Sequence, residues 1–93
     1  MVIYKNFKGG FMPPVKLYTL STCSHCKNTK QFLNSLGVAY DYIDVDLLQG
    51  QERTDIIEEV KKYNPNTSFP TILIGNRIIV GFKENEIRGA LGL

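Results

Sequence analysis

Histidine and cysteine are scarce in this 93-residue chain, which carries one of the former and two of the latter. All three fall within Ser21-Thr22-Cys23-Ser24-His25-Cys26-Lys27. A tetrahedral zinc site needs four ligands, and this set supplies fewer, so cysteine and histidine cannot close a structural metal centre here. A disulfide between Cys23 and Cys26 would close a very short loop and remove little chain entropy, so a structural crosslink is a poor use of the pair. No charge of one sign dominates either: 11 Lys and Arg face 9 Asp and Glu, a net charge of +2. That balance argues against a polyanion binder, nucleic acid included. No stretch approaches the ~18 apolar residues of a membrane span. The N-terminal Met-Val-Ile-Tyr-Lys-Asn-Phe-Lys-Gly-Gly lacks an apolar run of signal-peptide length. The expected setting is cytoplasmic, with no membrane partner, where a close cysteine pair is more often catalytic or metal-binding than structural.

What is present suits one globular domain. Apolar residues make up 43% and charged residues 22%, and a chain of this length buries enough surface to sustain a core without crosslinks. Residues 1–14 mix aromatics with Gly9, Gly10, Pro13 and Pro14 and read as an N-terminal extension, with a short strand at Val2–Tyr4. Val15–Leu20 is β-prone and short, a buried strand. From Ser24, the residues Thr29, Phe32, Leu33 and Leu36 return at three- and four-residue steps, and Gly37 follows where a left-handed cap belongs. The pattern predicts a helix ending at Leu36, then a second strand within Ala39–Val45. Strand, crossover helix and strand make a right-handed unit with parallel strands. A second amphipathic helix carries Ile56, Ile57, Val60 and Tyr63 and stops at Asn64-Pro65-Asn66. Phe69–Ile74 and Arg77–Val80 flank Gly75-Asn76, a two-residue hairpin turn. A short helix over Glu84–Leu91 closes an α/β chain of order β-α-β-α-β-β-α.

Cys23 falls where the first strand ends and the first helix begins. Unpaired backbone N–H groups and the positive end of the helix dipole converge there and favour thiolate over thiol. Helix N-termini and nearby cations bring such thiols from ~8.5 to ~3.5–7.5, which makes Cys23 the candidate nucleophile. Cys26 lies one helical turn inside, on the same side and nearer the core, placed to resolve a mixed disulfide. The two residues between them tune the couple. Ser24 can donate its hydroxyl to the same sulfur or cap the helix, and His25 turned toward Cys23 would shift the pair toward a better oxidant. The plainer reading of His25 is a solvent-facing helix residue, and Lys27 and Lys30 read equally as helix surface or as added positive potential. A Cys-x-x-Cys that follows a strand and opens a helix inside a βαβ pattern points to redox chemistry.

Three motifs in this order, Leu17-Tyr18-Thr19-Leu20-Ser21-Thr22-Cys23-Ser24-His25-Cys26, Ser68-Phe69-Pro70-Thr71-Ile72-Leu73-Ile74 and Val80-Gly81-Phe82-Lys83, resemble the glutaredoxin family of the thioredoxin fold. The resemblance runs from about Val15 to Leu91, so residues 15–93 are expected to be the glutaredoxin-like domain. It implies a four-stranded mixed sheet ordered 2-1-3-4 flanked by helices, and a cis peptide before Pro70 facing Cys23. It implies a dithiol oxidoreductase that reduces protein or glutathione mixed disulfides through Cys23 and Cys26. Phe69, Pro70, Gly81, Phe82 and Lys83 would frame the substrate or glutathione groove. No tightly bound cofactor and no metal follow from it; glutathione enters as a cosubstrate, and a monomer is expected. Where glutathione users of the family commonly carry lysine, three residues before the first cysteine, this chain has Leu20. The Gly81-Phe82 pair is more similar to the redoxins that serve ribonucleotide reductase and draw electrons from thioredoxin reductase. Ser24, where the family usually has proline, suggests a second reading, a dimer bridged by a [2Fe–2S] cluster, and the sequence is also compatible with a third, a redox-regulated binding module.

Overall fold

The computed structural model describes residues 13–93; the strand expected at Val2–Tyr4 lies outside the described residues. Its elements are β1 (Val15–Thr19), α1 (Ser24–Ser35), β2 (Asp41–Asp44), a 3₁₀ turn (Val45–Leu47), α2 (Gly50–Tyr63), β3 (Thr71–Ile74), β4 (Arg77–Val80) and α3 (Glu84–Leu91). The four strands form one sheet in the order β2-β1-β3-β4. β1 runs parallel to β2 and antiparallel to β3, which pairs antiparallel with β4. This is the mixed thioredoxin-like sheet that the family resemblance implies.

Alternation along β1 divides the molecule into two layers. Val15 and Leu17 point to one face and join Leu33, Val38, Ile72, Ile74, Ile79, Ile87 and Leu91, a core shared with α1 and α3. Lys16 and Tyr18 point to the other face, where Tyr18 packs with Val45 and with Val60 of α2. The β1–β3 register places Leu17 opposite Ile72 and Val15 opposite Ile74, so paired residues share a face. Slipping the pairing by one residue would send this apolar set to the wrong side.

Element ends show where local bonds take over from periodicity. β1 stops at Thr19, one residue short of the expected Leu20, because the Leu20 carbonyl accepts the Cys23 N–H at 3.2 Å and turns the chain out of the sheet. α1 ends at Ser35 instead of Leu36. There Gly37, at φ +70°, donates to the Asn34 carbonyl at 3.0 Å, and Val38 donates to the Leu33 carbonyl at 3.0 Å. The pair of bonds is a Schellman ending, in which a left-handed glycine satisfies carbonyls the helix leaves open. Val38 is thereby tied to Leu33, and the chain rejoins the sheet only at Asp41. β2 is correspondingly shorter than Ala39–Val45, and Val45 opens the 3₁₀ turn. At the hairpin Gly75 has φ +61°, and a Cβ there would come within 3.2 Å of the Pro13 Cβ. Its N–H donates to the Pro14 carbonyl at 2.9 Å, which extends the β1–β3 ladder by one bond.

Candidate active site

Cys23 is the N-cap residue of α1, in extended conformation at φ −88° and ψ 123°, and its Sγ accepts the Cys26 N–H at 3.2 Å. The sulfur takes the place an Asp or Ser oxygen usually occupies, using an N–H that the first helical turn leaves unpaired. Such a bond strengthens when the acceptor carries negative charge. Cys23 is partly exposed, Cys26 is fully buried, and both are free thiols. The pair therefore presents one sulfur to solvent and keeps the other one turn behind it, the arrangement expected from the spacing. Ser24 and His25 are both exposed on the outer side of that first turn.

Burial pushes the Cys26 thiol up to about 12, helped by its hydrogen bond and charge interaction with Cys23; the Leu20 backbone and the Lys30 ammonium pull the other way. A thiol with this environment stays protonated at neutral pH while its neighbour is a free sulfur. The two cysteines are thus unequal partners.

The loop ahead of Cys23 is held from below by a residue that the sequence did not single out. Asp46, in the 3₁₀ turn, accepts the Ser21 N–H at 2.8 Å through Oδ1 and the Ser21 hydroxyl at 2.5 Å through Oδ2. Those donors hold the Asp46 carboxyl below the usual range, the hydroxyl first and the backbone N–H second. The signal that could have found it is an acidic residue just past the second strand, level with a Ser-Thr loop across a parallel pair. Lys30, read from sequence as helix surface or added potential, is only 21% exposed and places its Nζ 3.3 Å from Asp44 Oδ1.

The downstream motif is held by its own bonds. The Phe69–Pro70 bond is cis, as the family resemblance implies. Phe69 is half-buried and Pro70 is buried. The Pro70 carbonyl accepts the Gly81 N–H at 2.9 Å, which joins two of the expected groove positions directly. Phe82 turns its ring edge-on to Phe32 of α1, 5.8 Å between centroids, and packs partly into the core. Lys83 is exposed at the start of α3. A further residue missed in the sequence, Asn64, is buried at the end of α2 and donates from Nδ2 to the Ser68 carbonyl, the Ser68 hydroxyl and the Thr71 hydroxyl, each at 3.0 Å. Its amide braces the loop that delivers Phe69 and Pro70. Among the described residues, no three His, Cys, Asp or Glu side chains gather closely enough to hold a metal ion, and no helix is long and apolar enough to cross a membrane.

Comparison with known proteins agrees with this geometry. The family model described as Glutaredoxin matches residues 15–79. The chain is 34% identical over 73 residues to an uncharacterized glutaredoxin-like 8.6 kDa protein in the rubredoxin operon of Clostridium pasteurianum, covering 78% of this chain and 91% of that one. A crystal structure of the glutaredoxin from Methanosarcina mazei Go1 superposes with a TM-score of 0.80 at 51% identity, over 87% of this chain and 80% of the other. The Methanosarcina acetivorans methanoredoxin structure superposes at 0.83 with 46% identity, over 88% and 87%.

Proposed function

Because the chain belongs to the glutaredoxin family, we propose that it is a dithiol–disulfide oxidoreductase with Cys23 as attacking sulfur and Cys26 as resolving sulfur. The observation that carries this reading is the asymmetry of the pair: Cys23 caps α1 half-exposed, while Cys26 donates its N–H to that sulfur and buries its own thiol. Thiolate Cys23 attacks a substrate R–S–S–R′, forms Cys23–S–S–R, and releases R′S⁻, which takes a proton from water. Cys26 then gives up its proton to solvent and attacks the Cys23 sulfur, releasing RS⁻ and leaving the Cys23–Cys26 disulfide. Two electrons have passed from the dithiol to the substrate.

The substrate is a protein disulfide or a glutathione mixed disulfide, bound along the Phe69 backbone between Pro70 and Gly81, with Phe82 and Lys83 at the rim. The Gly81-to-Pro70 hydrogen bond supports this groove by fixing its two loops to each other. An extended thiol substrate would pair with such open backbone as a short added strand. Ser24 and His25 set the potential of the couple from the exposed side of the turn. Electrons return from glutathione or from a thioredoxin-reductase-type enzyme, and Leu20, where glutathione users carry lysine, favours the latter. The protein works as a monomer without a resident cofactor, in a cytoplasm whose thiols are kept reduced.

Cysteine replacement tests the assignment. Cys23→Ser is expected to lose mixed-disulfide reduction down to background, while Cys26→Ser accumulates a covalent adduct on Cys23 that mass spectrometry detects. Retained turnover in Cys23→Ser rejects the reading. Supplying glutathione with glutathione reductase, or thioredoxin reductase alone, identifies the electron source.

A further inference from the structure

A buried resolving thiol raises a problem, because Cys26 must ionise before it can attack. Lys30 follows it by four residues on α1, so the two share a helix face, and helical side chains lean back toward the preceding turn. The lysine is not a loose surface charge. Its Nζ lies 3.3 Å from Asp44 Oδ1 and 3.8 Å from the centre of the Tyr42 ring. Asp44 is fixed in turn: it faces Thr19 in the β1–β2 register, and the fully buried Thr19 donates its hydroxyl to Oδ1 at 2.6 Å. A strand-anchored carboxylate and an aromatic face thus fix a cation on the helix turn that follows Cys26.

Resting on the dithiol reading above, we propose that Lys30, anchored by Asp44, is a positioning residue for the resolving step, supplying positive potential to Cys26 as it becomes a thiolate. The ionisable groups around Cys26 are Cys23 at the helix cap and Lys30 on its own helix, with Asp44 of β2 facing Lys30; the turn just after β1 contributes the Leu20 backbone. Burial and Cys23 oppose ionisation, whereas Leu20 and Lys30 favour it. Once Cys23 is tied up in a mixed disulfide it carries no negative charge and its opposition disappears. Burial then stands against the Leu20 backbone and Lys30, and of these two only the lysine carries a charge that a substitution removes.

Reaction of the reduced protein with 5,5′-dithiobis(2-nitrobenzoate), followed by stopped flow, separates the steps. Attack by Cys23 releases one thionitrobenzoate, and attack by Cys26 on the resulting mixed disulfide releases the second. In Lys30→Met the second release should slow about threefold near neutral pH, the effect of raising the attacking thiol by roughly one pKa unit once its gain in nucleophilicity offsets about half of the lost thiolate. Its pH midpoint should move upward while the first release stays within about twofold of wild type, and Lys30→Arg should restore the second. Lys30→Gln, which removes the charge and keeps most of the stem, should show the same change, and it serves alone if circular dichroism finds Lys30→Met unfolded. An unchanged midpoint in Lys30→Met and Lys30→Gln overturns the proposal, as does equal slowing of both releases or failure of Lys30→Arg to restore. A wild-type protein that never releases the second thionitrobenzoate overturns the dithiol reading itself.

Discussion

On one face of the sheet, nine buried hydrocarbon side chains from β1, β3, β4, α1, α3 and the α1–β2 connection pack into a continuous core. On the other face only Tyr18, Val45 and Val60 are buried in the cluster, and Leu20, Ile43, Ile56, Ile57, Phe69 and Leu73 cover it incompletely. Tyr18 also carries its hydroxyl into that layer, donating to Glu59 of α2, whose carboxylate pairs with Lys16 at 3.4 Å. One face is thus held by burial, which ignores pH, and the other partly by groups that titrate. Helix α1, which carries Cys23 and Cys26, belongs to the first. The chemistry proposed for that cysteine pair is therefore seated on the layer least disturbed by protonation.

The largest expected effect tests the strong face. Leu33→Ala removes a fully buried side chain from the last turn of α1 and should cost about 2–5 kcal/mol in urea unfolding. Val60→Ala on the other face loses two methyl groups among partly exposed neighbours that can close over the gap. It should cost about 1–2 kcal/mol. Equal losses would erase the contrast between the layers. An intermediate effect tests the weak face through Glu59. The Tyr18 hydroxyl, then Lys16, hold the Glu59 carboxyl below its usual range against the pull of burial. A lowered carboxyl contributes stability that is present above its unfolded value and lost as pH falls through the folded one. Glu59→Gln should therefore cost about 1 kcal/mol at neutral pH, the usual value of a hydrogen bond to a charged group reduced for solvent exposure. The same variant should lose less than wild type on acidification. The alkaline side is a poorer test, because burial raises both Tyr18 and Cys26, one on each face. Both contributions are present below the ordinary tyrosine and thiol values and lost as pH rises above them, so the two layers weaken together there.

Legibility followed the range of the interactions. The element order, the bounds of α3 and the Cys23 junction depend on local periodicity and on turn residues such as Gly37 and Gly75, and these could be read along the chain. The cis bond at Pro70 came only with the family resemblance, since nothing local to Phe69-Pro70 distinguishes it from a trans strand start. The supports of the site were illegible for a different reason. Asp46 meets Ser21, and Asp44 meets Thr19 and Lys30, across the β1–β2 pairing, whose register depends on where α1 ends and how many residues the Schellman turn consumes. A one-residue error at Leu36 would mispair every one of them. Asn64 was read as a helix stop, which it is, but its side-chain partners Ser68 and Thr71 lie beyond a loop whose course the sequence does not disclose.

The smallest effect concerns a titrating contact at the cysteine end of the molecule. Asp46 lies at the surface, and its two bonds to Ser21 restrain the loop that leads to Cys23 without adding to the core. Asp46→Asn keeps an acceptor for the Ser21 N–H but cannot accept the hydroxyl with the same charge. The Ser21 amide should then lose roughly threefold in hydrogen-exchange protection, the scale of a local opening, while amides of α1 around Leu33 keep theirs. Because the Asp46 carboxyl sits below its usual range, its restraint is present above the ordinary carboxylate value and fades only as pH falls beneath it, so wild type should reproduce the variant's loosening in acid alone. If Leu33 amides loosen together with Ser21, the loop and the helix form one unit, and the division between a protonation-blind seat and a titrating rim does not exist at this end of the molecule.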